Sequence, residues 1–561
     1  MSQTVWEVFE ANDLSHKIAT HLRCLPIVAQ LMLNRQVATV HDAQSFLTDT
    51  WDEWPLLPNQ SELMAHIQAL VDHQAAICVY GDYDVDGVTS TAILVTILRQ
   101  LGCRVDYIAP HRFTDGYGLN PNRMIGIAER GYDALITVDC GVSNYQEIEA
   151  LKQMAPTMVV LIIDHHKCPT TLPKADAIVN PQLAEPDHPA RHLCAAALVD
   201  YLFRTSPIAG ADVDDYADLV AIGLVADVMP LTRLNRWYVK RGLARIQSQP
   251  REALRSLCIT AGINTQHATA QTIGFGIGPR LNAPGRLGDP KPVVEWLLST
   301  DPTRMNALVR DIEAMNLKRR SIGDTIQADI DNQLAEDPTE ITHKGLFLSG
   351  QYWHMGIIGI NASRLVNRYN KPVVIVAFDG DMARGSARSV PGVNMYAILK
   401  ECSQYLTHFG GHSQAAGFSL HAGNIPAFKQ AYREACDRAM DHSDSLQRLR
   451  IDAILPLSQV SLDFIDAIDQ LAPFGEGNPQ PLFYADATMV EARSVGQKKN
   501  HIKFRFTQDT AVMDGIGFDM ADRVSAIRTQ RVWVAFHVSK NDFGGQLTPQ
   551  LQVIDIKAHE H

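Results

Sequence analysis

The stretch AAICVYGDYDVDG (residues 75–87) runs an apolar segment straight into three aspartates, Asp82, Asp84 and Asp86. Three carboxylates crowded behind a buried strand repel one another, and burial penalises each charge. Such a turn is tolerated where a cation neutralises it, or where it is solvated at a helix N-terminus, which favours carboxylates anyway. Two further runs end the same way. ALITVD (134–139) closes on Asp139, and VVLIIDHH (159–166) closes on Asp164, His165 and His166. Three β-branched runs, each with metal-capable side chains at its carboxyl end, favour the cation. The segments between them, including TSTAILVTILRQ and NPNRMIGIAER, have helical spacing. Apolar strands alternating with helices predict an α/β domain on a parallel sheet covered on both faces. Ligands of such sheets bind beyond the carboxyl ends of the strands, where these clusters fall.

Outward from this core, the 561 residues offer material for three or four domains. The pattern predicts a helical lead-in over 1–70, the parallel-sheet domain over 71–290 and a connector helix over 291–340. In the connector, Leu308, Val309, Ile312 and Met315 recur at helical spacing between Pro302 and Pro338. Some 35 helical residues would span roughly 50 Å, enough to join two lobes. A second α/β domain is predicted over 341–445, with the strand PVVIVAF. An all-β barrel or sandwich is predicted over 446–561, from runs such as HIKFRF and VWVAFHV.

Composition excludes several classes. Hydrophobic residues at 46% and charged residues at 20% are those of a globular protein. No apolar stretch approaches the roughly 20 residues needed to span a bilayer, and MSQTVWEVFEAND lacks the features of a secretory signal. The expectation is a cytoplasmic protein without a membrane partner. Nine cysteines without a C-x-x-C pair fit reduced thiols, not disulfides or a zinc ribbon. A net charge of −12 argues against a non-specific nucleic-acid coat protein, but not against an enzyme with local basic surfaces.

Oxygen-rich ligation with one or two imidazoles suits Mn²⁺ or Mg²⁺ better than structural zinc. Shared carboxylates can hold two such ions and promote phosphoryl chemistry. The glycines at 274, 276 and 278 lack the spacing and the preceding strand of a dinucleotide site. Gly410 and Gly411 in FGGHSQAAG suit either an ordinary turn or a close approach to phosphate. In the last domain Lys498 and Lys499 precede HIKFRF, in which His501, Lys503 and Arg505 alternate with Ile502, Phe504 and Phe506. As a strand it puts the basic residues on one face, which reads either as a solvated surface or as a groove for a nucleic-acid strand.

The set GDYDVDG, VDCG and IIDHH resembles the DHH phosphoesterase superfamily, and AIGLVADVMPL (221–231) matches a fourth motif carrying Asp227. GFGIGPRLNAPGRLGD (274–289), HMGIIGINASRL (354–365), GSARS (385–389), HFGGHSQAAGFS (408–419) and APFGEGNPQPLF (472–483) resemble the single-stranded-DNA-specific exonucleases of that superfamily over nearly the whole chain. The resemblance implies a DHH domain joined by a long helix to a DHH-associated domain, followed by an OB-fold. It implies two Mn²⁺ or Mg²⁺ ions on Asp82, Asp84, Asp139, His165 and Asp227, with Asp86 and Asp164 ligating or orienting ligands. Some members carry a histidine where this chain has Tyr80, which shifts weight onto Asp82.

By the same resemblance His166 and His412 contact the scissile phosphate. Ser386, Arg388 and Arg112 form a pocket for a 5′-terminal phosphate. Arg280, Asn282 and Arg286 line the strand path, although Asn282 suits a structural role equally well. The implied activity is processive 5′→3′ hydrolysis of single-stranded DNA to 5′-mononucleotides in recombination and repair. A monomer is expected, with a single-stranded-DNA-binding protein and a RecQ-type helicase as partners. The alternatives are a DHH-type hydrolase of short oligonucleotides, cyclic dinucleotides or pyrophosphate, and a non-catalytic DNA-binding relative. The extra C-terminal domain argues against the first, and the intact ligand set against the second.

Overall fold

The computed structural model describes residues 4–559 other than 49, 442–447, 497, 498, 522, 523, 525, 526, 528, 529 and 544. After a short first strand, β1 (Val5–Val8), and three helices, the helix Gln60–Asp72 leads into the first sheet. Strands β2 (Ala76–Tyr80), β3 (Arg104–Ile108), β4 (Ala134–Val138), β5 (Val159–Ile163) and β6 (Ala177–Val179) are all parallel, in the order β3-β2-β4-β5-β6. Residues of both faces of β2, β4 and β5 are buried, which explains their unbroken apolar character. The chain passes from β3 over β2 to β4, so the connections diverge between β2 and β4. That divergence opens a crevice beyond their carboxyl ends, and Asp82, Asp84 and Asp139 emerge there.

The connector is one 35-residue helix, Pro302–Glu336, capped by Asp301, whose carboxylate accepts from the Thr303 amide. Its first half contributes Met305, Leu308, Val309 and Ile312 to the core of the first domain. Its second half contributes Ile326, Ile330 and Leu334 to the core of the next. The helix therefore belongs to both lobes. The second sheet is mixed: β7 (Leu346–Gly350), β8 (Val373–Asp379), β9 (Met382–Arg388), β10 (His408–Gly411) and β11 (Ala415–His421) lie in the order β10-β11-β9-β8-β7, and only β7 and β8 are parallel.

Beyond β12 (Arg448–Ile451), strands β13 (Ala453–Ile454), β14 (Phe483–Val495), β15 (His501–Gln508), β16 (Ala511–Gly517), β17 (Arg531–Phe543) and β18 (Gln546–Ala558) form one sheet that closes on itself through β14 and β17. The alternation in HIKFRF is realised: Ile502, Phe504 and Phe506 fill the barrel core.

The first 70 residues do not form a separate lead-in. Strand β1 pairs in parallel with β12, and Ile18, Val28, Leu31 and Met32 pack in one core with the barrel residues Phe483, Phe504 and Phe536. The stretch from Trp51 through the helix Gln60–Asp72 belongs to the first domain, through Trp54, Leu57, Leu63, Met64 and Ile67. The periodicity of the N-terminal helices shows which face is apolar; their partner lies more than 400 residues along the chain. No helix among the described residues is long and apolar enough to cross a membrane.

Candidate metal centre and phosphate pocket

Asp84 ends the first strand–turn and caps the helix Val85–Gln100, its side chain accepting from the Gly87 amide at 3.1 Å. Gly87 is required: a Cβ there would lie 2.6 Å from the Asp82 backbone. The turn thus folds back on itself and presents Asp82 and Asp84 together. Asp139 leaves β4 with φ of +63°, a left-handed conformation uncommon for a non-glycine residue. The kink turns its carboxylate across the crevice to His165, with Oδ1 and Nε2 3.0 Å apart. The same Nε2 lies 3.6 Å from Asp227 Oδ2 and 3.7 Å from Asp86 Oδ2.

Three overlapping ligand groups result: Asp82 with Asp84 and Asp139, Asp86 with His165 and Asp227, and Asp139 with His165 and His166. Asp139 and His165 are shared between groups, which is the layout two neighbouring ions need. The donors fit a hard divalent cation. Asp82 Oδ1 and Asp227 Oδ2 are buried without a hydrogen-bond partner, and such atoms are costly to leave unsatisfied. Burial, reinforced by the neighbouring carboxylates, pushes Asp82, Asp139 and Asp227 well above the usual carboxylate range. Burial holds the His165 imidazole below its ordinary value, in the neutral form that ligates.

Asp164 and Asp86 are engaged differently. Asp164 Oδ1 accepts from the His165 and His166 amides and from His166 Nδ1, at 2.8–3.1 Å, and Oδ2 accepts from Val142 N. Burial would raise its pKa, yet these bonds and the histidine charges hold it low. For His166 burial opposes protonation, but Asp164 outweighs it and pushes the imidazole up to about 9. Asp86 accepts from the Ala195 and Ala196 amides at 2.6 and 3.0 Å and so fixes the following helix to the site. Gly223 gives room for it, since a Cβ there would sit 2.7 Å from Asp86 Oδ1. Tyr80 is buried, its hydroxyl donating to the Gly118 carbonyl at 3.2 Å, and takes no part in the cluster.

The second feature is a cluster of guanidinium groups between the lobes. Arg112 lies over the Tyr83 ring at 4.3 Å and keeps a buried Nη1 without a partner. Arg388 on β9 donates to Ser386 Oγ at 3.1 Å, and a Cβ on Gly359 would lie 2.9 Å from both side chains. Burial, then the charges of Arg112, Arg388 and Arg319, lower Arg286 to about 10. Arg286 therefore lies near Arg112 and Arg388, and its Nη1 donates to the Gly356 carbonyl at 3.4 Å. The lobes touch here: a Cβ on Gly356 would lie 2.0 Å from the Arg286 carbonyl oxygen. Arg319, on the connector helix, joins this group and was missed in the sequence, where nothing separates it from any exposed helical arginine.

Other expected residues stand elsewhere. Arg280 is buried in an ion pair with Glu313, Nε to Oε2 2.6 Å, and its Nη1 donates to the Gly276 carbonyl. It braces the connector helix instead of facing a cleft. Asn282 is half-buried on the helix Gly278–Leu287, its side chain without a hydrogen bond among the described residues. His412 is exposed at the turn between β10 and β11, its amide donating to the Ala415 carbonyl at 2.8 Å, and Gly411 has φ of +135°. Gly410 has open space where a Cβ would stand. On the barrel, Arg505 is paired with Asp514 across β15 and β16 at 3.0 Å. Lys503 lies beside it on the strand, and Lys499 sits in a positive-φ turn. Lys498 lies outside the described residues.

A parallel sheet with an acid-and-histidine cluster at its switch point, joined by a helix to a lobe that offers arginines, defines a DHH-type phosphoesterase. Family models agree. The DHH family N-terminal domain matches residues 76–224, the DHHA1 domain 342–438 and the RecJ OB domain 451–555. The chain belongs to the RecJ family. It is 34% identical to the single-stranded-DNA-specific exonuclease RecJ of Haemophilus influenzae, covering 86% of this chain and 87% of that one. It is 30% identical to that of Escherichia coli, covering 98% of each. The crystal structure of RecJ from Thermus thermophilus in complex with Mn²⁺ superposes with a TM-score of 0.85 at 29% identity, covering all of this chain and 80% of that one. The complex of the same protein with Mg²⁺ gives 0.77 at 27% identity, covering all of this chain and 79% of that one.

Proposed function

We propose that the protein is a metal-dependent exonuclease that degrades single-stranded DNA processively from the 5′ end and releases 5′-mononucleotides. The observation that carries this reading is the pairing of a buried acidic cluster with an arginine cluster that has few carboxylates of its own. One suits divalent cations, and the other suits the dianionic phosphate at a strand's 5′ terminus. Asp82, Asp84, Asp139, His165 and Asp227 would hold two Mn²⁺ or Mg²⁺ ions. Bound there, the ions supply an acidified attacking water and positive charge opposite the transition state.

The chain's own groups do the rest. Arg112, Arg286 and Arg388, with Ser386, grip the terminal phosphate, and planar guanidinium forks suit its oxygens. Gripping the end fixes which phosphodiester meets the metal centre, so cleavage is counted from the 5′ terminus. His166, oriented by Asp164 through Nδ1, keeps Nε2 free to donate to a non-bridging oxygen. His412 would approach the same phosphate from the other lobe. Asp86 and Asp164 orient ligands from behind. The barrel's Lys499 and Lys503 would follow the strand's backbone, with Arg505 weakened for that task by Asp514.

A hydrolase of short oligonucleotides is a second reading, since a terminal-phosphate pocket serves it equally. The RecJ OB match favours the long strand. Roles in recombination and repair beside a single-stranded-DNA-binding protein and a RecQ-type helicase, as a cytoplasmic monomer, follow the family expectation. The domain limits given above are proposed with one change: residues 4–47 are assigned to the barrel.

Single strands labelled at either end, with and without a blocked 5′ terminus, test the proposal in Mn²⁺ beside duplex and dinucleotide. Mononucleotide release from the free 5′ end of long single strands is expected. Degradation from the 3′ end, or action on dinucleotides alone, overturns it.

A further inference from the structure

The loop over residues 111–118 follows the edge strand β3 and leads to the helix Pro121–Arg130. Its side chains reach three separate parts of the proposed site. Arg112 lies over the ring of Tyr83, which stands between Asp82 and Asp84 in the aspartate turn. Phe113 meets His354 of the second lobe edge-on, with ring centroids 5.5 Å apart. Tyr117 packs edge-on against His166 at 5.6 Å. One short loop therefore touches the turn that bears two metal-capable carboxylates, the histidine expected at the scissile phosphate, and the lobe that carries Ser386 and Arg388.

One carboxylate holds this loop in shape from within. The Asp115 side chain is 9% exposed. Its Oδ2 accepts from the His111 amide at 2.8 Å, while the Asp115 amide donates to the His111 carbonyl at 2.9 Å. Asn120 donates to the Asp115 carbonyl at 3.1 Å. Arg123, in the first turn of the next helix, donates to both carboxylate oxygens, at 3.2 and 3.1 Å. The ends are fixed as well. The Arg112 amide donates to the Gly288 carbonyl at 2.9 Å, and a Cβ on Gly288 would lie 2.4 Å from His111 Nε2. The Gly118 carbonyl accepts from the buried Tyr80 hydroxyl at 3.2 Å, so the tyrosine that stands aside from the acidic cluster anchors the loop. Fixing each loop residue costs conformational entropy. None of these bonds reaches the acidic cluster, and a carboxylate has no attraction for phosphate. What the bonds secure is the placement of Arg112 relative to Tyr117.

We propose that Asp115, braced by Arg123, is a positioning residue that sets the spacing between the terminal-phosphate pocket and the metal centre, and so limits each cut to one nucleotide. The inference rests on the exonuclease reading above and deepens it, by naming the part of the chain that counts. Arg112 marks the strand's end, Tyr117 keeps His166 at the phosphate to be cut, and the loop between them is the gauge. A loosened loop lets Arg112 drift away from the metals, and a longer terminal segment then fits between grip and cut.

Single strands carrying a radioactive 5′-phosphate test this in Mn²⁺ by the length of the first labelled product. The wild type should release the mononucleotide. Asp115→Ala should raise the ratio of dinucleotide to mononucleotide about tenfold and lower kcat about ten- to 100-fold, as expected when reacting groups shift by about 1 Å. Asp115→Asn keeps an acceptor for the His111 amide and should restore the mononucleotide. Activity lost with product length unchanged would give Asp115 a merely structural role and overturn the gauge, leaving the exonuclease standing. Arg123→Ala alters a side chain 48% exposed and should shift product length in the same direction. It decides the matter if Asp115→Ala does not fold, and mononucleotide alone from it then overturns the proposal. Both alanine variants should bind Mn²⁺ as the wild type does in a calorimetric titration; loss of an ion would move the effect into the metal centre and overturn the gauge. A wild type that releases nothing from the 5′ end overturns both the gauge and the exonuclease.

Discussion

Two neighbouring clusters of opposite sign, the acidic one largely buried and the basic one half-buried, solve their electrostatics in opposite ways. At the ends of β2, β4 and β5 and of the helix Ala217–Ala226, five aspartates and two histidines crowd together with no lysine or arginine in the ligand set, and two carboxylate oxygens have no partner. Between the lobes, Arg112, Arg286, Arg388 and Arg319 crowd together, and the like charges depress Arg286. Elsewhere the chain pairs its buried charges. Asp218 meets Arg251, Asp200 meets Arg204 and Tyr238, and Glu340 meets Lys429 and Arg433. The fold therefore neutralises buried charge where charge serves structure. Under the proposed function the two clusters take external partners, cations for one and phosphate for the other.

The contrast is broken most severely by Asp139→Asn. It removes a ligand shared between two groups, so Mn²⁺-dependent hydrolysis should fall about a thousandfold or more. In chelator-treated protein the same change should raise the melting temperature, because it removes one of several repelling buried carboxylates. A calorimetric scan with and without Mn²⁺ reads both effects. Asp164→Asn leaves the ligands in place but weakens the orientation of His165 and His166. A loss of about ten- to 100-fold in kcat is expected from such an outer partner, checked by steady-state kinetics.

On the other cluster, Arg388→Ala removes a charge-assisted contact to the terminal phosphate. KM for 5′-phosphorylated strands should rise about tenfold or more, with a smaller change for 5′-hydroxyl strands. Equal losses on both would detach the arginines from the terminus. Arg505→Ala should matter least. Its partner Asp514 already compensates it on an exposed face, so strand affinity measured by fluorescence anisotropy should fall by less than about fivefold.

How much of this was legible in the sequence depended on distance along the chain. Asp82, Asp84, Asp139 and His165 could be read because they follow apolar runs, where local pattern and site chemistry coincide; Asp227, at the end of the helix Ala217–Ala226, was reached only through the family resemblance. The connector helix was legible from Pro302, Pro338 and the spacing of Leu308, Val309 and Ile312. Arg280 was misread because its partner Glu313 lies 33 positions away on another helix. The grouping of Arg286 with Arg112 and Arg388 had no local signal, because the three converge only when both lobes are assembled. Arg319 carried no signal for the same reason. The docking of the N-terminal segment on the barrel carries no local signal, because the pairing of β1 with β12 joins residues more than 400 apart. Local periodicity reports which face is buried; the partner is decided by topology.

The central claim is that the acidic cluster exists to hold two divalent cations. Calorimetric titration of the chelator-treated protein with Mn²⁺ tests it most directly, beside Asp139→Asn. The wild type should bind two ions per chain, with the melting temperature rising as they bind, and the variant should lose at least one of them. Absence of binding in the wild type, or two ions retained in Asp139→Asn, would contradict it.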